Sequence, residues 1–130
     1  MIIKPIRLLN KKLVPPYTLR QDSVELSIII VNYHHSHLLK NSLESVHRTV
    51  KKIQFEVIVV DNSSKDEGLR SVLDQFPETR LIDNLTNLGF ACANNQGTEI
   101  AKGDFLLFIN PDTTMKEGTI EAMLGHLRSD

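Results

Sequence analysis

A single cysteine, Cys92, stands among the 130 residues, so no disulfide can close within the chain and a reducing compartment is expected. No apolar run approaches the roughly 18 residues that a membrane-spanning helix requires. The N-terminus lacks a signal-peptide apolar region, because Lys4, Pro5 and Arg7 interrupt it. These absences predict a cytoplasmic protein with no transmembrane segment, either free or peripheral at the cytosolic membrane face. No internal repeat or low-complexity tract is found. The formal net charge is only -1, which supplies no overall attraction to nucleic acid.

What is present fits one globular domain: 41% of residues are apolar and 24% charged. The charge is unevenly placed. Residues 1–21 hold Lys4, Arg7, Lys11, Lys12 and Arg20 with no acid, a local charge of +5. Pro5, Pro15 and Pro16 make this stretch a poor helix or central strand. Residues 1–24 are therefore read as a basic, proline-containing leader, and residues 25–130 as the folded domain.

Short β-branched or apolar runs mark the strands. Ser27–Val31, Phe55–Val60 and Phe105–Ile109 have the pattern of strands buried on both faces, and Arg80–Asp83 is a shorter candidate. Helical spacing separates them. Leu39, Leu43, Val46 and Val50 follow Ser36, a candidate N-cap; Leu69, Val72, Leu73 and Phe76 follow a capping box at Ser64 and Glu67. A third helix is expected from about Phe90 to Ala101. A fourth carries Ile120, Met123, Leu124 and Leu127 behind a second capping box at Thr114 and Glu117. The alternation predicts an α/β fold, a Rossmann-like parallel sheet of about four strands with helices on both faces.

In such sheets ligands bind beyond the carboxyl ends of the strands. Each of those ends is polar here: Asn32-Tyr33-His34-His35-Ser36, Asp61-Asn62-Ser63-Ser64, Asp83-Asn84 with Asn87-Leu88-Gly89, and Asn110-Pro111-Asp112. The contrast with the apolar strands marks this rim as a binding site. His34, His35 and His37 invite a zinc reading, but no cysteine or carboxylate partner lies near them in sequence, and a loop leading into a helix explains them better. Cys92, between Ala91 and Ala93, is expected to be a small buried side chain.

Four of these segments, Val59-Val60-Asp61-Asn62-Ser63-Ser64, Asn87-Leu88-Gly89-Phe90 with Asn94-Asn95 and Gly97, Gly103-Asp104, and Asn110-Pro111-Asp112, resemble family 2 glycosyltransferases in order and spacing. The likeness is to rhamnosyltransferase-like members that build bacterial surface polysaccharides, and it runs from about Glu25 to Gly125. It implies the nucleotide-binding half of a GT-A fold. It also implies transfer of a glycosyl group from a nucleotide-diphosphate sugar, linked to UDP, dTDP or GDP, to a saccharide or lipid-linked acceptor.

The resemblance assigns roles by position. Asp61, with Asn62 beside it, would accept a hydrogen bond from the base, and Asn32 and Tyr33 would flank that base. Asn87 and Gly89 open a helix whose free N–H groups favour an anion. Asn94 with Asn95 and Gly97 either faces the sugar or packs the helix on the sheet. Asn110-Pro111-Asp112 takes the place of an Asp-X-Asp motif, in which a carboxylate holds Mg²⁺ or Mn²⁺ against the diphosphate. With Asn110 in the first position, Asp112 is the one carboxylate ligand.

The family's general base belongs to an acceptor half beyond the metal motif, and no residue here matches it. The fourth strand is then expected to present an apolar edge, either pairing with another copy or shielded by the leader. Two other classes remain in view. A non-catalytic nucleotide-sugar-binding or interaction module, left from a truncated glycosyltransferase, would bind without transfer. A phosphoacceptor signalling domain would need acids after its first strand, where Asn32-Tyr33-His34 stands.

Overall fold

Strands form where the β-branched runs lie, and their pairing sets the position of everything else. The structure, a computed structural model, describes residues 2–5 and 23–129. The elements follow in the order β1 Ile2–Pro5, β2 Leu26–Asn32, α1 Ser36–Thr49, β3 Phe55–Asp61, α2 Gly68–Asp74, β4 Arg80–Asp83, α3 Phe90–Ile100, β5 Phe105–Ile109 and α4 Thr119–Ser129. The sheet order is β1-β5-β2-β3-β4. Strands β5, β2, β3 and β4 are parallel, as expected, and β1 adds an antiparallel edge.

That edge resolves the expectation for the fourth strand. Ile2 to Pro5 pair with Phe108 to Phe105, so the first residues of the leader shield β5. Pro5 is tolerated because β1 is the outermost strand, where a missing N–H need not break a ladder. The rest of the leader, with Arg7, Lys11, Lys12 and Arg20, lies outside the described residues.

The two faces of the sheet are filled by alternate side chains of the same strands. Leu26, Ile28 and Ile30 of β2, with Val57 and Val59 of β3 and Leu107 of β5, pack against Leu39, Leu43 and Val46 of α1. Leu69 and Val72 of α2 and Ile120 and Leu124 of α4 complete this layer. Ile29, Val31, Ile58, Val60 and Leu106 point the other way, toward Ala93 of α3. Each fully buried aliphatic side chain contributes about 1.5–3 kcal/mol, so β2, buried along its whole length, anchors both layers. Helix α3 lies close on its face because Gly97 has no side chain: a Cβ there would stand 2.6 Å from Cγ2 of Ile29.

Helix starts differ from the capping pattern in the sequence. Ser36 is the first residue of α1, not its cap; its N–H and hydroxyl donate to Asp66 at 2.9 and 2.7 Å, so a carboxylate 30 residues away caps the helix. Helix α2 begins at Gly68, and Ser64 is committed to Asp61 instead. Helix α4 begins at Thr119, five residues after Thr114.

At the amino ends of the strands a polar cluster fastens the sheet. Ser27 Oγ donates to Glu56 Oε1 at 2.7 Å, the Lys102 N–H donates to the same oxygen at 2.6 Å, and Arg80 Nη1 reaches Glu56 Oε2 at 3.1 Å. Burial pushes the Glu56 carboxyl up, but the donors from Lys102, Ser27 and Arg80 outweigh it and hold the group below its ordinary value of 4.5. A depressed folded-state value means that the unfolded chain binds more protons below pH 4.5. This contribution is therefore full above that pH and lost as pH falls through the folded value. Urea unfolding from pH 7 down to pH 3 is expected to show a shallower loss of stability for Glu56→Gln than for the unaltered chain. Parallel curves would count against it.

Candidate functional site

The connections of the sheet fix where a ligand can sit. From β2 the chain moves outward to β3 and β4, then returns through α3 on the opposite face to place β5 on the other side of β2. The strand order thus reverses at β2 and β5, and a crevice opens beyond their carboxyl ends. A cleft of about 480 Å³ lies there, lined by Tyr33 and His35 after β2, Asn62 after β3, Asn87, Gly89 and Phe90 at the start of α3, and Asn110 to Asp112 after β5.

Tyr33, Asn62, Asn87, Gly89, Asn110 and Asp112 are therefore brought together as the sequence suggested. Asn32 and Asp61 are buried behind the wall, and Asn94 lies in α3 outside the lining. His35 and Phe90 are wall residues that the sequence reading did not select. Phe90 is 59% exposed and Tyr33 47%, an unusual exposure for aromatic side chains facing a polar rim. The position of His35, directly behind a strand end, was the one sequence signal for it.

Asp61 is 3% exposed, and both of its oxygens are occupied. Oδ1 accepts from Asn32 Nδ2 at 2.9 Å and Ser64 Oγ at 2.6 Å, and Oδ2 accepts from the Ser64 N–H at 3.2 Å. Asn32 is oriented in turn by the His35 N–H, which donates to its Oδ1 at 3.2 Å. A backbone N–H can only donate, so the amide nitrogen of Asn32 must face the carboxylates. Asp66 completes this layer. Burial pushes its carboxyl up, but donors from Ser36, Asn32 and Gly68 outweigh that and hold it below its usual range. The loop backbone is tight: His34, Ser63 and Lys65 have φ of 62°, 63° and 52°, left-handed values that non-glycine residues seldom adopt.

Helix α3 opens on the cleft. Gly89, its N-cap, has φ 83° and ψ 165°, a conformation open essentially to glycine alone, and no side chain caps the first turn. The Gly89 N–H is held by Asn87 Oδ1 at 2.8 Å. The N–H groups that follow are the kind of donors an anion takes. Across the cleft, Asn110 to Thr113 form a turn closed by the Thr113 N–H to the Asn110 carbonyl at 3.0 Å, with Pro111 in its favoured second position. The Met115 N–H then donates to Ser45 Oγ of α1 at 2.8 Å and pins the loop.

For a metal ion the cleft offers hard oxygen donors, the Asp112 carboxylate and the Asn110 amide. Among the described residues no three His, Cys, Asp or Glu side chains form a group able to hold a metal by themselves. Cys92 is exposed, against the expectation of burial. Ala93 and Gly97, one turn apart, are the residues α3 turns to the sheet, and Cys92 falls off that face.

The sequence pattern of glycosyl transferase family 2 matches residues 27–130. The chain belongs to this family. An uncharacterized glycosyltransferase of Haemophilus influenzae is 36% identical over 99 residues, covering 76% of this chain and 33% of the relative. Poly(ribitol-phosphate) beta-glucosyltransferase of Bacillus spizizenii is 33% identical over 95 residues, 68% of this chain and 15% of the relative. Among solved structures, S. aureus TarS in complex with UDP-GlcNAc superposes with a TM-score of 0.72 at 24% identity, over 82% of this chain and 32% of that one. The α/β fold is thus one shared with part of GT-A glycosyltransferases, and the chain spans a third or less of the length of these relatives. No helix among the described residues is long and apolar enough to cross a membrane.

Proposed function

We propose that this family 2 domain binds a nucleotide-diphosphate sugar in the cleft, with Mg²⁺ or Mn²⁺, for transfer of the glycosyl group to a saccharide or lipid-linked acceptor. The observation that carries the reading is the meeting of three features in one crevice: exposed Tyr33 beside Asn62, the uncapped start of α3 at Gly89, and Asp112 with Asn110. Tyr33 supplies a flat apolar surface for a base. The N–H groups of α3 face the diphosphate, where helix polarity favours negative charge. Asp112 and Asn110 would hold the ion, which neutralises charge on the diphosphate as it leaves. Asp61 and Asn32 brace the base end from behind, and Asn87 holds the Gly89 turn.

The likeness to the poly(ribitol-phosphate) beta-glucosyltransferase of Bacillus spizizenii, and to TarS with its bound UDP-GlcNAc, supports a uridine nucleotide and a polyol-phosphate polymer as acceptor. No residue of this chain is proposed as the general base.

Calorimetric titration with UDP, dTDP and GDP, with and without Mn²⁺, tests the reading. Binding of one nucleotide, strengthened by Mn²⁺, is expected. Asp112→Ala should abolish the Mn²⁺ enhancement, lowering affinity about 10-fold or more, because it removes the one carboxylate ligand. A chain that binds none of the three, with or without metal, would refute the proposal.

A further inference from the structure

The turn that carries Asp112 is held from outside its own residues. Asp112 stands midway between two fixed points, three residues from Ile109 and three from Met115. Ile109 ends β5, is buried, and pairs with Ile30 of β2. Met115 is buried as well, with its side chain in the core layer of α1 and α4. Its N–H donates to Ser45 Oγ of α1 at 2.8 Å, a bond between residues 70 apart. Ser45 itself does not line the cleft.

The chemistry of the hydroxyl fixes the direction of this contact. Ser45 has one hydroxyl hydrogen and gives it to the Ser42 carbonyl at 2.8 Å, which leaves the oxygen's lone pairs for the Met115 N–H. Without Ser45 Oγ that buried N–H would have no acceptor, and leaving a buried donor unmet is costly enough to move a loop. Met115 would then carry one end of the turn with it. A carboxylate serves Mg²⁺ or Mn²⁺ only close to the ion's preferred distance, so a small shift of the turn is felt at Asp112. Ser42 provides a matched comparison: it lies in the same helix and is 1% exposed, as Ser45 is, but its hydroxyl has no partner among the described residues.

We propose that Ser45 is a positioning residue for Asp112, acting through the Met115 N–H, and so governs how well the cleft takes a divalent cation. The inference rests on the metal-assisted nucleotide binding proposed above. It adds a residue of α1, outside the cleft, on which the metal ligand depends.

The test is the gain in nucleotide affinity that Mn²⁺ gives, measured by calorimetry on the full chain with whichever of UDP, dTDP and GDP binds. Exchange of the Met115 amide hydrogen, followed by NMR, reports on the bond itself. The unaltered chain is expected to gain about 10-fold from the metal. Ser45→Ala should speed exchange at Met115 and cut the gain to about 3-fold or less, with metal-free affinity unchanged. Ser45→Cys, whose sulfur is a weaker acceptor of similar size, should lie between the two. Ser42→Ala removes an equally buried hydroxyl from the same helix and should leave the gain whole. A general loosening of α1 would lower the gain in the Ser42 and Ser45 variants alike, or weaken metal-free binding, and either result would overturn the proposal. So would unchanged exchange at Met115, or a full gain in Ser45→Ala, while the metal-assisted reading stood. No gain in the unaltered chain would remove the metal reading and this inference with it.

Discussion

Gly103→Ala is expected to destabilise the domain by about 3 kcal/mol, with a fall in melting temperature of roughly 12 °C. A Cβ at Gly103 would lie 2.5 Å from the Ser27 nitrogen and 2.7 Å from the Leu26 carbonyl carbon. Both are backbone atoms of β2, the strand paired on both sides and buried along its length, so neither can yield. The turn would move instead, stretching the Gly103 N–H bond to Ser27 Oγ, now 2.8 Å, and the adjoining bond from Lys102 to Glu56. Gly97→Ala should be milder. Its Cβ meets the side chain of Ile29 at 2.6 Å, and better helix propensity offsets part of the strain. Gly125→Ala, in α4 with nothing within 4 Å, should stabilise by up to about 1 kcal/mol. Urea titrations of the three variants check this order, and a Gly103→Ala protein as stable as Gly125→Ala would contradict the tight seating of the turn.

The sheet was legible in the sequence because its signal is local. Phe105–Ile109 and Arg80–Asp83 form strands over the same residues the apolar pattern marked, and the polar strand ends lie on one rim. Helix starts were less legible, because their caps come from elsewhere in the fold: Asp66 serves Ser36 across 30 residues, and Ser64 is drawn to Asp61. The pairing of β1 with β5 is likewise long-range, and Pro5 announced only that the leader would not run through the middle of a sheet.

The site divides in the same way. Motif residues after each strand end reach the cleft because a parallel sheet puts all those ends on one side. Which of them touch a ligand is decided by side-chain direction. Asn32 and Asp61 end their strands in register with each other and turn their side chains together, whereas Asn62, one residue on, faces the cleft. Asn84 Nδ2 donates to Asn62 and Gln96, 22 and 12 residues away, and no sequence spacing announces either contact.

Asp61→Ala should combine a large loss of stability with a large loss of binding. Its carboxylate accepts from Asn32 Nδ2, the Ser64 N–H and the Ser64 hydroxyl, all in a buried layer. Removing it leaves the Ser64 N–H without its acceptor and Asn32 with Asp66 as its remaining carboxylate partner. An orphaned buried donor costs about 1–3 kcal/mol, and with the lost bonds to Ser64 Oγ and Asn32 the total is about 3 kcal/mol. That is a large share of the ~5–15 kcal/mol that holds a typical domain together. Ser63 and Lys65, at positive φ within the loop that Ser64 anchors, would relax toward ordinary conformations. The Asn62 wall would move with them, and UDP affinity should fall by more than 10-fold at a temperature where the variant remains folded. Asp61→Asn separates bracing from direct contact. An amide oxygen in the place of Oδ1 still accepts from Asn32 Nδ2 and the Ser64 hydroxyl, and the bond lost is that of the Ser64 N–H to Oδ2, so the stability loss should be about half as large. If Asp61 acts on the nucleotide only through the loop, the binding loss shrinks in proportion. If its carboxylate also takes the base N–H, binding stays as weak as in Asp61→Ala while the fold recovers.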